Sequence, residues 1–204
     1  WLEFRRVLFR SEGDKKILVL FQNNSELRGT GGFIGSFGAL DFKAGSLKNI
    51  AFETNIYKLD QPFMIENQIE PPTELKDFSS PWSLRDSNFA ANGPESFREV
   101  LNFYQAETGQ TADGIIAIDT TLFINLLALT GPINLPEFNL TVNTDNFLDT
   151  VQYEVEKGYF ERQGGKTENE PKKILATLMP LFTEKLATAL SDTKNLRTTS
   201  KIFA

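Results

Sequence analysis

Any chemistry in this chain has to proceed without imidazole or thiol, because its 204 residues include no His and no Cys. That excludes histidine triads, imidazole bases, zinc–thiolate sites and disulfide frameworks. What remains is Arg, Lys, carboxylates, hydroxyls and a hard cation such as Mg²⁺ held by oxygen. Three stretches carry such residues: Glu26 and Arg28 in NNSELRGTGG, Arg85 and Asp86 in LRDSNFAANGPES, and Arg162 with Gln163, followed by Lys172 and Lys173. Converging guanidiniums suit a pyrophosphate, since Arg offers paired N–H donors where Lys offers a point charge. Phosphoryl transfer is mainly positioning and charge neutralisation, so it needs neither His nor Cys. The plainer alternative is structural: Glu26 with Arg28 as a local ion pair, Arg85 with Asp86 closing a loop. Asp113 and Asp119, at the two ends of an apolar strand, read as turn and cap residues, and the 18 Phe residues as core.

The glycines after Arg28 invite a nucleotide reading, and the spacing rejects it. A dinucleotide fingerprint starting at Gly29 has Gly31 in third place but Ile34 in sixth. A Walker loop needs a Gly-Lys pair, and no Lys occurs between Lys16 and Lys43. The segment that follows alternates as a strand, leaving no helix N-terminus to hold a phosphate. The glycines therefore read as a strand–turn–strand.

FQNNSELRGTGGFIGSFGAL, LRDSNFAANGPESFREVLNFYQAETG and ADGIIAIDTTLFINLLALTGPI, in that order, resemble the signatures of the domain of unknown function 4012, found in bacterial envelope proteins. The resemblance runs from about Lys16 to Leu190. The motif order is also similar to that of the LytR-CpsA-Psr transferases, which move glycopolymers from a polyprenyl pyrophosphate carrier to peptidoglycan outside the membrane. In that family arginines grip the pyrophosphate and aspartates hold Mg²⁺. By this likeness Arg28, Arg85 and Asp86 are the candidate catalytic residues, and Glu26, Arg162 and Lys172 the candidate ligand-binding residues; the metal ligands are not identified. Gly29 and Thr30 stand where that family has an aspartate after its first arginine. The resemblance implies an extracytoplasmic domain, membrane-anchored by an upstream helix, with a lipid-linked glycopolymer and a cell-wall acceptor as partners and Mg²⁺ as the cofactor. It would act as a Mg²⁺-dependent phosphotransferase, or alternatively as a non-catalytic envelope binding or scaffolding module.

The opening Trp1–Ser11 resembles one frame of a translated sequencing adapter from Leu2 onward, and is expected to take no part in the fold. Without it Lys and Arg number 18 against 26 Asp and Glu, and the net charge moves from -6 to -8. With no basic stripe left, nucleic acid is not an expected partner. The sequence contains no run of about 18 apolar residues that would mark a transmembrane helix. Residues 12–204 are expected to form a single domain truncated at both ends.

The elements that must position these residues are readable from pattern. Ile17–Phe21 is a continuous apolar run, expected of a central strand. Phe33–Phe42 alternates, KAGS turns, and Leu47–Glu53 alternates again. Residues 56–92 lose all periodicity, with Pro62, Pro71, Pro72 and Pro81 along them; they form a long irregular connection and a candidate wall of the site. Pro94 opens a helix with Phe97, Val100, Leu101 and Tyr104 on one face, ending at Gly109. Asp113–Asp119 is a buried strand, followed by a helix stopped at Gly131. A strand lies near Leu140, a helix starts at about Asp145, and Pro171 opens a long helix that Pro180 should kink. The order predicts an α/β or α+β fold with a mixed central sheet flanked by helices, and C-terminal helices beyond it.

Overall fold

The computed structural model describes residues 13–77, 81–158, 161 and 172–191. Trp1–Ser11, Arg162 and Pro171 lie outside the described residues. The fold is α/β, and the chain divides into two compact units, one ending at Asp119 and the other beginning at Thr120.

The first unit is built on a mixed four-stranded sheet of β1 (Lys15–Asn23), β2 (Phe33–Lys43), β3 (Ser46–Glu53) and β4 (Gly114–Asp119), in the order β3-β2-β1-β4. β1 pairs antiparallel with β2 and parallel with β4, and β2 pairs antiparallel with β3. The inner position of β1 explains its unbroken apolar run: Ile17, Leu18, Val19 and Leu20 are all buried. β4, expected to be buried, is half-exposed along its whole length, because it pairs with a strand on one side only.

Lys43 pairs with Ser46 across the β2–β3 turn, leaving Ala44 and Gly45 at φ 48° and 74°. Two left-handed residues make the mirror-image turn that suits strand twist, and an alanine is strained there. Ala44→Asn should therefore raise stability by about 1 kcal/mol, read as a higher urea midpoint.

Two helices, α1 (Tyr57–Glu66) and α2 (Gly93–Thr108), complete the first unit. Its core joins Leu18, Leu20, Ile34 and Phe37 of the sheet to Ile56, Leu84, Val100, Phe103 and Tyr104, with Phe37 and Tyr104 meeting edge to face at 5.6 Å. α2 ends at Gly109 in the left-handed conformation, φ 71°, as its pattern predicts. α1 departs from the sequence reading, which made this stretch irregular. Leu59 and Phe63 pack on the core, but the one fully buried position on the helix is an aspartate, Asp60, and Pro62 sits inside it. A buried charge and an interior proline erase the apolar period by which a helix is recognised. Beyond α1 the connection is shaped by short 3₁₀ turns at Thr73–Leu75 and Leu84–Asp86.

The second unit comprises α3 (Thr120–Thr130), a small antiparallel hairpin of β5 (Ile133–Leu135) and β6 (Leu140–Val142), α4 (Phe147–Tyr153) running into a π-type turn at Glu154–Gly158, and α5 (Lys173–Ser191). Phe123 stacks on Phe147 at 4.7 Å and on Phe182 at 4.4 Å, tying α3, α4 and α5 to one core. Strand β5, only three residues long, was not foreseen. α5 continues through Pro180 and, against the sequence reading, is long and apolar enough by length and composition alone to cross a membrane. Ile174, Leu178, Met179 and Phe182 on it are buried within the unit.

Candidate functional site

The loop between β1 and β2 carries Arg28, and its glycines are there to let another backbone approach. A Cβ on Gly29 would lie 2.2 Å from the Phe89 carbonyl oxygen and 2.4 Å from that of Ala90; one on Gly32 would lie 2.4 Å from the Asn23 oxygen. Polar groups lock the same contact. Thr30 Oγ1 accepts from Gln22 Nε2 at 2.7 Å and from Asn88 Nδ2 at 2.8 Å, and Asn88 Nδ2 also donates to the Gly32 carbonyl at 2.8 Å. The glycine-rich loop is thus a docking face for residues 84–90. β2 follows it, as the spacing required.

That docking brings together arginines from distant parts of the sequence. In the turn Leu84–Asp86, Leu84 is buried as an anchor and the Ser87 hydroxyl donates to the Leu84 carbonyl at 2.8 Å. Asp86, 3% exposed, then faces Arg28: its Oδ1 accepts from Arg28 Nη2 at 2.7 Å and Nε at 3.1 Å. Its Oδ2 accepts from Arg85 Nε at 3.3 Å. One carboxylate therefore holds two guanidiniums. Each guanidinium also lies over a ring, Arg28 at 5.3 Å from the centre of Phe33 and Arg85 at 5.1 Å from that of Tyr57. Such cation–π contacts orient the charge as well as stabilising it.

Behind Arg85 lies a second layer of carboxyls that the sequence did not reveal. Asp60 of α1 is fully buried, with Oδ2 3.6 Å from Arg85 Nη1. Glu107 of α2 accepts the Leu84 backbone N–H at 2.8 Å. Burial first, and then the neighbouring charge of Asp60, push the Glu107 carboxyl up to about 8. Burial also raises Asp60, while Glu107, Arg85 and Ser83 facing it pull the other way. Tyr57 is raised by burial, with Arg85 opposing and Glu26, Asp86 and Asp60 adding to the rise.

Of the six candidates, Arg28, Arg85 and Asp86 come together. Glu26 is exposed and accepts from Asn23 Nδ2 at 2.9 Å; it makes no ion pair with Arg28, so the local pair considered from sequence does not form. Lys172 belongs to the second unit, where its carbonyl accepts the Leu175 N–H at 2.9 Å at the start of α5. Asp113 is structural, as expected for a turn residue. Burial works to raise its carboxyl, but bonds from Lys15 Nζ and the Lys16 N–H, each 2.8 Å, outweigh that and hold it below the usual range.

In chemical terms the cluster sets two fixed guanidiniums side by side. Arg28 spends Nε, Nη1 and Nη2 on Asp86 and its own neighbour's carbonyl at Leu27, while Arg85 Nη2 engages no partner among the described residues. Arg85 therefore has N–H donors to offer an oxyanion.

A family model described as Protein of unknown function (DUF4012) matches residues 12–155, starting directly after the adapter-like segment. No curated protein matches the chain.

Proposed function

Since the chain belongs to the DUF4012 family, whose description assigns no activity, we propose from its site that the domain binds the phosphoryl groups of a lipid-linked glycopolymer at the cell envelope, with Arg28 and Arg85 as the binding pair. The observation that carries this reading is the bridging of both guanidiniums by the one buried carboxylate of Asp86. Two guanidiniums fixed before any ligand arrives have already lost their side-chain entropy, which favours an anion able to meet both. The envelope location and the glycopolymer come from the motif resemblance; the charged pair is this chain's own contribution.

Binding is favoured over transfer by the same geometry. Both Asp86 oxygens are already engaged by arginines, and Gly29 and Thr30 follow Arg28 in place of an aspartate. If Mg²⁺ takes part, its ligands come from elsewhere in the intact protein or from the phosphates themselves.

Titration with a polyprenyl pyrophosphate in detergent micelles tests the reading. Arg85→Ala should weaken affinity by about 10- to 150-fold, the range of a lost hydrogen bond to a charged group. Unchanged affinity would remove Arg85 from the site. Product formed from a lipid-linked donor in the presence of Mg²⁺ would make the domain a transferase instead.

A further inference from the structure

Helices α1 and α2 and the turn Leu84–Asp86 meet around a group of buried oxygens, among them those of two carboxyls that cannot bond each other while both acids are ionised. Asp60 Oδ1 and Oδ2, Ser83 Oγ and Glu107 Oε2 are all buried without a hydrogen-bond partner among the described residues, and Asp60 and Ser83 are themselves fully buried. Asp60 and Glu107 face one another. Two ionised carboxylates are acceptors only and cannot bond to each other. Two facing negative charges in the interior, with one guanidinium 3.6 Å away, are also strongly unfavourable. A single proton resolves both problems. It turns one carboxyl into a donor, satisfies an oxygen on each side, and leaves one negative charge for Arg85 to match.

We propose that Asp60 and Glu107 share one proton, and that this proton clasps α1 to α2 around the turn that carries Arg85. The clasp does not depend on any ligand, so it stands apart from the phosphoryl-binding reading. The titratable groups around it are few. Tyr57 approaches from α1, and Arg85 and Asp86 from the turn. Arg28 and Glu26 of the β1–β2 loop reach it at one remove, through Asp86 and Tyr57 respectively.

The direction of the pH effect follows from the raised carboxyl. A group that is protonated in the fold up to about 8, but only to about 4.5 when unfolded, contributes stability that is fully present below 4.5 and is lost as the pH rises through about 8. Urea unfolding of the whole chain between about pH 5 and 9 reads this directly, with the unfolding constant rising by up to about tenfold per pH unit for one proton. Glu107→Gln should flatten that rise, because the amide keeps the bond from the Leu84 N–H and donates permanently to Asp60. An equal slope in the variant and the parent would overturn the proposal. ¹³C NMR titration of the carboxyl carbons in the unsubstituted protein gives a second readout that needs no variant. One carboxyl with a midpoint near 8 supports the shared proton, and all Asp and Glu carboxyls titrating below about pH 6 would overturn it.

Discussion

Replacing Asp86 by alanine is expected to destabilise the first unit by about 3 kcal/mol, measured as a loss in urea unfolding free energy. Asp86 is 3% exposed and is the only carboxylate among the described residues that bonds both Arg28 and Arg85. Its removal leaves two guanidiniums, 22% and 17% exposed at the side chain, without the carboxylate that both of them bond. Asp60 remains only for Arg85, so Arg28 loses its one ion-pair partner among the described residues. Removing one member of a buried ion pair costs more than the pair contributes, because the other charge is stranded. Added pyrophosphate should restore part of the loss in Asp86→Ala, since an external anion then occupies the vacated position. A variant as stable as the parent would mean that the arginines are solvated and the cluster is not a cluster in solution.

Gly29→Ala should cost about 3 kcal/mol, the upper end of the range for forcing extra volume into a packed contact. The added Cβ would meet the carbonyl oxygens of Phe89 and Ala90 at 2.2 and 2.4 Å. Both are backbone atoms, which cannot swing aside as a side chain does. The residues 84–90 would have to withdraw from the β1–β2 loop, breaking the Thr30, Asn88 and Gly32 bonds and separating Asp86 from Arg28. Gly93→Ala is the matched control. A Cβ there meets nothing within 4 Å, and the position opens α2. It should be neutral or slightly stabilising through the unfolded state. Similar losses in both variants would show that the close approach at Gly29 does not exist.

The parts of this molecule that were legible in its sequence are those where one physical signal dominates. Ile17–Leu20 read as an inner strand because burial on both faces leaves no polar position, and Gly109 read as a helix end because the left-handed conformation favours glycine. Arg28, Arg85 and Asp86 were legible through their motifs, though not that one carboxylate would join them. Asp60 and Glu107 were not. Asp60 lies in a stretch whose prolines and buried charge destroy periodicity, and Glu107, though it stands on the buried face of α2 four residues after Phe103 and seven after Val100, reads from sequence as an ordinary solvent-facing acid of the last turn. Their partnership depends on helices brought together by tertiary packing, for which a sequence carries no local signal. The glycines after Arg28 read as a strand–turn–strand, and β2 follows them. Their positive function, the close approach of Phe89 and Ala90, lies about 60 residues away along the chain and leaves no trace in the loop itself.

That Arg28 and Arg85 act as one anion-binding pair is tested most directly by calorimetric titration of pyrophosphate into the parent, Arg28→Ala, Arg85→Ala and the double variant. Each single substitution is expected to weaken binding about tenfold or more, and the double variant to lose less than the two losses combined, because either arginine alone no longer offers both sets of donors to one anion. Affinity for pyrophosphate that is the same in all four proteins would contradict it.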